Sequence, residues 1–206
     1  MIRLSQDWLK RSRLNVFAAR STFNFGLDAF DSTIHDDGLP DSQFFSWVGQ
    51  LQYVRRLETR FQSQIIFRTH FQWANQRLLA LEQLSIGGVS SVRGYRENFI
   101  IRDNAFISSL EWRIPIKQLA ISKFKQNPAD GLLKIAFFAD YGRAWNADSE
   151  IFESEYIYSV GLGVHWSPNK QIRTQIYWGY ALRDIPEPKD RDLQDSGVHF
   201  EMKVLF

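Results

Sequence analysis

Apolar and polar residues alternate along most of this chain with a period of two, the mark of strands that bury one face and wet the other. Over residues 61–73, Phe61, Ile65, Phe67, Phe71 and Trp73 share a face with Ser63 and Thr69, while Gln62, Gln64, Arg68, His70 and Gln72 take the other. Residues 171–183 set Ile172, Ile176, Trp178, Tyr180 and Leu182 against Gln171, Arg173, Gln175, Gly179 and Arg183. In residues 197–206, Val198, Phe200, Met202, Val204 and Phe206 oppose His199, Glu201 and Lys203. Residues 106–114 place Phe106, Leu110, Trp112 and Ile114 against Ser109, Glu111 and Arg113. Residues 156–166 place Tyr156, Tyr158, Val160, Leu162, Val164 and Trp166 against Ser159, Gly161, Gly163 and His165. With residues 133–142, 45–57 and 15–27, the last two alternating more weakly, the pattern predicts an all-β antiparallel chain of about eight strands and no helix.

The connections between these strands differ in an ordered way. They run long (28–44), tight (around Glu58), very long (74–105), intermediate (117–131), medium (146–155), tight (167–170) and long (184–196). Apart from the intermediate segment, long and short alternate, as in an outer-membrane barrel with short turns on one side and longer loops on the other. Strands of about 9 to 13 residues also suit a tilted bilayer crossing. A soluble, sugar-binding β-sandwich is the competing architecture, since it too alternates apolar and polar residues. Against it, the oily faces carry Trp47, Tyr53, Trp73, Trp112, Tyr156, Trp166, Trp178 and Tyr180, rings suited to the boundary between lipid and water.

Composition narrows the partners. The 206 residues suffice for one domain, and 25 Lys plus Arg against 23 Asp plus Glu leave no excess cation for a nucleic-acid backbone. No cysteine is present, which removes disulfide and thiolate-metal chemistry. The opening MIRLSQDWLKRSRL mixes charge into every few residues and predicts no signal peptide. The longest apolar runs, such as residues 135–139, fall far short of the roughly 18 residues a spanning helix needs.

The longest connection contains IGGVSSVRGYREN, residues 86–98. Gly87, Gly88 and Gly94 let its backbone fold back tightly. An arginine on such a loop could be anchored by a carboxylate on a polar strand face, where a bidentate pair is specific. Two strands offer one: Asp140 in FFADYGRAW and Glu111 in SLEWRIP. The plainer readings are an exposed loop arginine for Arg93, turn chemistry for Asp140, and for Glu111 a pairing with Arg68 or Arg113 across strands. Of the histidines, His35 lies in a loop and His70, His165 and His199 on polar faces, without metal-ligand spacing. Ser159 with His165 and Ser109 with His70 are the available hydrolase pairs, and nothing marks either. The paired glycines make no phosphate loop, because no Lys-Ser or Lys-Thr follows. The expectation is no catalysis, no metal and no cofactor.

IGGVSSVRGYREN followed by SSLEWRIP and FFADYGRAW, with a final strand ending in Phe206, resembles the carboxy-terminal half of the two-partner secretion transporters of the haemolysin-activator group. The resemblance implies that Val92, Arg93, Gly94 and Tyr95 form the tip of a loop folded into the barrel lumen. It implies that Arg93 pairs with Asp140 of the F-x-D-x-G strand, Phe138 to Gly142, with Glu111 as a supporting charge. Phe200, Met202, Val204 and Phe206 would then form the signal by which barrel-assembly machinery recognises its clients. The implied function is passage of a secreted haemolysin- or adhesin-like protein across the bacterial outer membrane, in contact with outer-membrane lipid. Family members carry a signal peptide, periplasmic recognition domains and a barrel of sixteen strands. Residues 1–206 therefore correspond to a carboxy-terminal barrel region, a partial chain or one half of a split transporter, with the amino-terminal barrel half as an implied partner. The assembly factors of the same superfamily, which insert other barrels, are the alternative within this resemblance.

Overall fold

A computed structural model of the protein describes residues 1–27, 42–58, 61–121, 127, 130–148, 154–183 and 195–205. His35 and Phe206 lie outside the described residues. Among the described residues eleven strands follow one another: β1 (Ile2–Arg11), β2 (Asn15–Phe25), β3 (Phe45–Arg56), β4 (Gln64–Ala74), β5 (Leu84–Ile86), β6 (Ile100–Arg102), β7 (Asn104–Gln118), β8 (Leu132–Trp145), β9 (Glu155–Ser167), β10 (Ile172–Ala181) and β11 (Val198–Val204). Nine form one antiparallel sheet in the order β1-β2-β3-β4-β7-β8-β9-β10-β11, and β5 with β6 make a small hairpin inside the longest connection.

The main sheet therefore has nine strands rather than about eight. The additional one is β1, whose oily positions Ile2, Leu4 and Trp8 are interrupted by Gln6 and Lys10, while Leu9 falls on the wet side. Local alternation is too weak there to mark a strand, and ten residues of register with β2 supply the missing order. Phe61 precedes β4 instead of beginning it.

Every main-sheet neighbour is the preceding or following long strand, so the topology is a meander. The strand ends that the shorter connections join, Arg11 to Asn15, Arg56 to Gln64, Gln118 to Leu132 and Ser167 to Ile172, lie at one end of the sheet, and those that the others join, Phe25 to Phe45, Ala74 to Asn104, Trp145 to Glu155 and Ala181 to Val198, at the other. The intermediate connection thus belongs to the short-turn end. β1 and β11 lie at the two open edges.

One face of the sheet carries Trp47, Trp73, Leu110, Trp112, Phe137, Tyr156, Leu162, Trp178, Tyr180, Phe200, Met202 and Val204, all exposed. Among the described residues no second sheet covers them, which disfavours the β-sandwich: a sandwich packs its apolar inner faces together about 10 Å apart. An apolar face of this extent requires a non-aqueous neighbour. Among the described residues no helix is long and apolar enough to cross a membrane.

The buried core lies on the opposite, concave side. Ile86, Val92, Tyr95 and Ile100 of the long connection pack with Ala105 and Ile107 of β7, Ala144 of β8 and Ile157 of β9. These wall residues interrupt the polar alternation of their strands, and together they mark where the loop rests. Gly142 completes the footprint, since a Cβ there would lie 2.9 Å from Val92 Cγ2 and 3.3 Å from Ile86 Cδ1.

Candidate functional site: an arginine clamp on the sheet wall

Antiparallel register sets the wall of the site before the loop arrives. Ser109 of β7, Asp140 of β8 and Ser159 of β9 are consecutive cross-strand partners, and Glu111 opposite Phe138 forms the next row on the same face. The two carboxylates consequently stand side by side on the concave surface. Left alone there, each buried charge would cost several kcal/mol.

The β5–β6 hairpin carries Arg93 down onto this pair. Its Nε donates to Asp140 Oδ2 at 2.8 Å, Nη2 to Asp140 Oδ1 at 2.8 Å and to Ser109 Oγ at 3.1 Å, and Nη1 to Glu111 Oε2 at 2.8 Å. The Arg93 backbone N–H adds a fifth bond, to Asp140 Oδ2 at 3.0 Å. The guanidinium plane sits 3.6 Å from the centre of the Phe138 ring and 4.6 Å from that of Tyr177, so cation–π attraction adds to the fork geometry. Only 3 % of Arg93 and none of Glu111 is exposed. Burial by itself would lower the Arg93 pKa, but hydrogen bonding and attraction from Asp140, then Glu111, outweigh it and raise the pKa above the ordinary arginine value.

Glu111 turns out to be shared between the two pairings expected of it. Arg113 Nε also donates to it, Tyr177 Oη lies 3.2 Å from Oε1, His165 Nε2 lies 3.3 Å from Oε1, and Arg68 stands off at 3.9 Å. His165 is thus engaged with Glu111 and with Tyr177 Oη at 3.0 Å, while Ser159 pairs in register with Asp140 and Ala181. The Ser159 hydroxyl is buried without a hydrogen-bond partner among the described residues. The Ser109 hydroxyl accepts from Arg93, and His165 Nε2 faces Glu111 and Tyr177 instead of Ser159.

The loop tip is fitted to the last hairpin as well. Gly94 has φ +95°, a left-handed conformation that glycine adopts without strain, and its N–H donates to His199 Nε2 at 3.2 Å. Its backbone lies against that of Gly179: a Cβ on Gly179 would come 2.6 Å from Gly94 N and 2.8 Å from Arg93 C. The Tyr95 hydroxyl donates within reach of the Tyr158 carbonyl at 3.0 Å and accepts from the Arg183 N–H at 3.2 Å. Gly87 and Gly88 begin the turn, with the Glu97 carboxylate filling the space a Gly88 side chain would need and accepting from Val89 N–H at 2.7 Å. At the loop base, buried Asp103 accepts from the N–H groups of Leu78 at 3.0 Å and Ala147 at 3.1 Å. Phe200, Met202 and Val204 stay apart from this site, on the convex side of β11.

Tyr177, Ser109, Gly179 and His199 complete the clamp although the motif alone does not single them out. Tyr177 carries a signal in the sequence, an aromatic ring on the wet face of β10 between Gln175 and Gly179. The other three are ordinary wet-face residues, and only register brings them beneath the loop.

A curved antiparallel wall with a bare apolar outside, and a long connection pinned to its inside by a buried arginine, defines the class: an outer-membrane-type β-barrel sheet with an inward-folded loop. The chain belongs to the haemolysin secretion/activation protein ShlB/FhaC/HecB family, whose model it matches over residues 3–166. It is 35% identical over 78 residues to the outer membrane transporter CdiB of Escherichia coli O6:K15:H31 (strain 536 / UPEC), covering 37% of this chain and 13% of that protein. Another outer membrane transporter CdiB from Escherichia coli is 33% identical over the same length. The solved structure of CdiB from Escherichia coli superposes with a TM-score of 0.74 at 20% identity, covering 98% of this chain and 35% of the other. CdiB from Acinetobacter baumannii gives 0.66 at 16% identity, with 98% and 34% covered. The chain thus spans about a third of the length of these solved relatives.

Proposed function

We propose that this chain forms the carboxy-terminal part of the transmembrane barrel of a bacterial outer-membrane two-partner secretion transporter, and that an extended haemolysin- or adhesin-like partner passes along its concave side. The observation that carries this reading is the Arg93 clamp, which holds the VRGY loop against the inner wall of a sheet whose outer face is apolar. The family match favours a transporter over an assembly factor.

In this reading the convex face contacts outer-membrane lipid, and the open edges of β1 and β11 are paired by strands beyond the sheet described here, because an unpaired edge is not tolerated in hydrocarbon. In this reading barrel-assembly machinery recognises the stretch of β11 that carries Phe200, Met202 and Val204. The protein works without catalysis or cofactor. Transport then draws its energy from the partner, which folds on reaching the cell surface.

Replacing Arg93 with alanine in the complete transporter is expected to lower the amount of partner released to the medium while the barrel still inserts in the outer membrane. Both are read by fractionation and immunoblotting. Undiminished release would overturn the reading.

A further inference from the structure

Past the clamp, toward the short-turn end, the concave face changes character. A cavity of about 640 Å³ is lined there by Arg68, Arg113, Lys134, Lys170, Arg173 and Lys203, with Asp130 and Glu201 as its only carboxylates among the described residues. Arg113 is bonded to Glu111 and Lys203 to Glu201 at 2.6 Å. Lys134, Lys170 and Arg173 have no ion pair among the described residues. Arg173 and Lys203 are moreover direct cross-strand partners, a placement of like charges that destabilises a sheet. Lys134, Lys170 and Arg173 gain no charge pairing among the described residues, and the low-dielectric wall behind them focuses their field into the cavity.

We propose that this end of the concave face is a receptor for acidic polypeptide. Resting on the secretion reading, it is the place where carboxylate-rich stretches of the extended partner are held before they pass the loop. An extended chain presents side chains on one face about every 7 Å, and Lys134 and Arg173, two strands across and two residues along from one another, stand roughly 12 Å apart on flexible stems. Successive carboxylates can therefore meet successive cations. Lipid phosphates are the wrong occupant, because Ile172, Ile176, Phe200 and Met202 of the same strands turn the opposite face to the bilayer.

The test uses the complete transporter in detergent micelles with fluorescently labelled decaglutamate and decalysine peptides, read by anisotropy at low and high salt. Decaglutamate is expected to bind, more weakly as salt rises, and decalysine not to bind. The double variant Lys134→Gln/Arg173→Gln is expected to lose roughly tenfold in affinity, while the charge-conserving Lys134→Arg/Arg173→Lys keeps it. Equal binding of the two peptides, or unchanged affinity in the charge-removed variant, overturns the proposal. Should the charge-removed variant fail to fold, peptide discrimination by the parent and charge-conserving proteins decides. Export of the partner is followed separately in cells. Peptide binding without export would sink the secretion reading alone, and export without peptide binding would sink the receptor alone.

Discussion

Arg93 spends its charged end on two carboxylates, one hydroxyl and two aromatic rings, so its substitutions separate charge from geometry. Lysine keeps the charge but has one ammonium where the fork served both Asp140 and Glu111. Arg93→Lys is expected to cost about 3 kcal/mol, at the lower end of what breaking a buried pair costs, measured by thermal unfolding in detergent. Tyr177 divides in the same way. Tyr177→Phe loses the hydroxyl facing Glu111 but keeps the ring under the guanidinium, an expected cost of about 1 kcal/mol. Tyr177→Ala loses both and is expected to cost about 3 to 5 kcal/mol. Equal losses for the two Tyr177 variants would show that the ring contributes nothing. Arg93, Asp140 and Glu111 were legible as candidates because charged residues flanked by motif glycines and aromatics are conspicuous. The residues by themselves left Asp140 and Glu111 as alternatives and the resemblance named Asp140 with Glu111 in support; in the structure Arg93 gives three bonds to Asp140 and one to Glu111.

Among the strands and the loop between them, backbone contact decides whether the tip can seat. Gly179→Ala would drive a methyl into the Gly94 and Arg93 backbone, which has no rotamer with which to yield. The expected result is a loop released from the wall and cut rapidly within residues 75–103 by added protease. Gly49→Ala is the control, because its nearest neighbour would be the Trp47 ring at an ordinary 3.6 Å. Comparable cleavage of the two variants would count against a seated tip. Eight of the long strands follow from period-two alternation alone. β1 does not, because an edge strand with polar residues on both faces takes its order from the ten pairings with β2. Neither do β5 and β6, three residues each, which depend on pairing with one another and on the wall beneath them.

For the molecule as a whole, the two faces of the sheet should answer differently to the same insult. Leu110 stands half exposed near mid-strand on the convex face, and Leu110→Arg is expected to destabilise the protein in lipid vesicles by about 2 to 4 kcal/mol. Ser159→Ala, on the concave side of β9, is expected to be neutral or slightly stabilising, because it removes a buried hydroxyl that bonds to nothing described. Urea titration of vesicle-reconstituted protein measures both. Similar costs would mean that the apolar face does not meet hydrocarbon.

Alternation along each strand was enough to say which side chains share a face, because successive residues of an extended chain point in opposite directions whatever the rest of the molecule does. It also carried the all-β class and the motif-bearing loop. What alternation could not decide was which face would be dry: the core formed on the nominally wet side, where Ile107, Phe138, Ile157 and Tyr177 receive the loop. Those contacts join residues tens of positions apart, and they exist only once register and curvature have placed several strands beneath one hairpin.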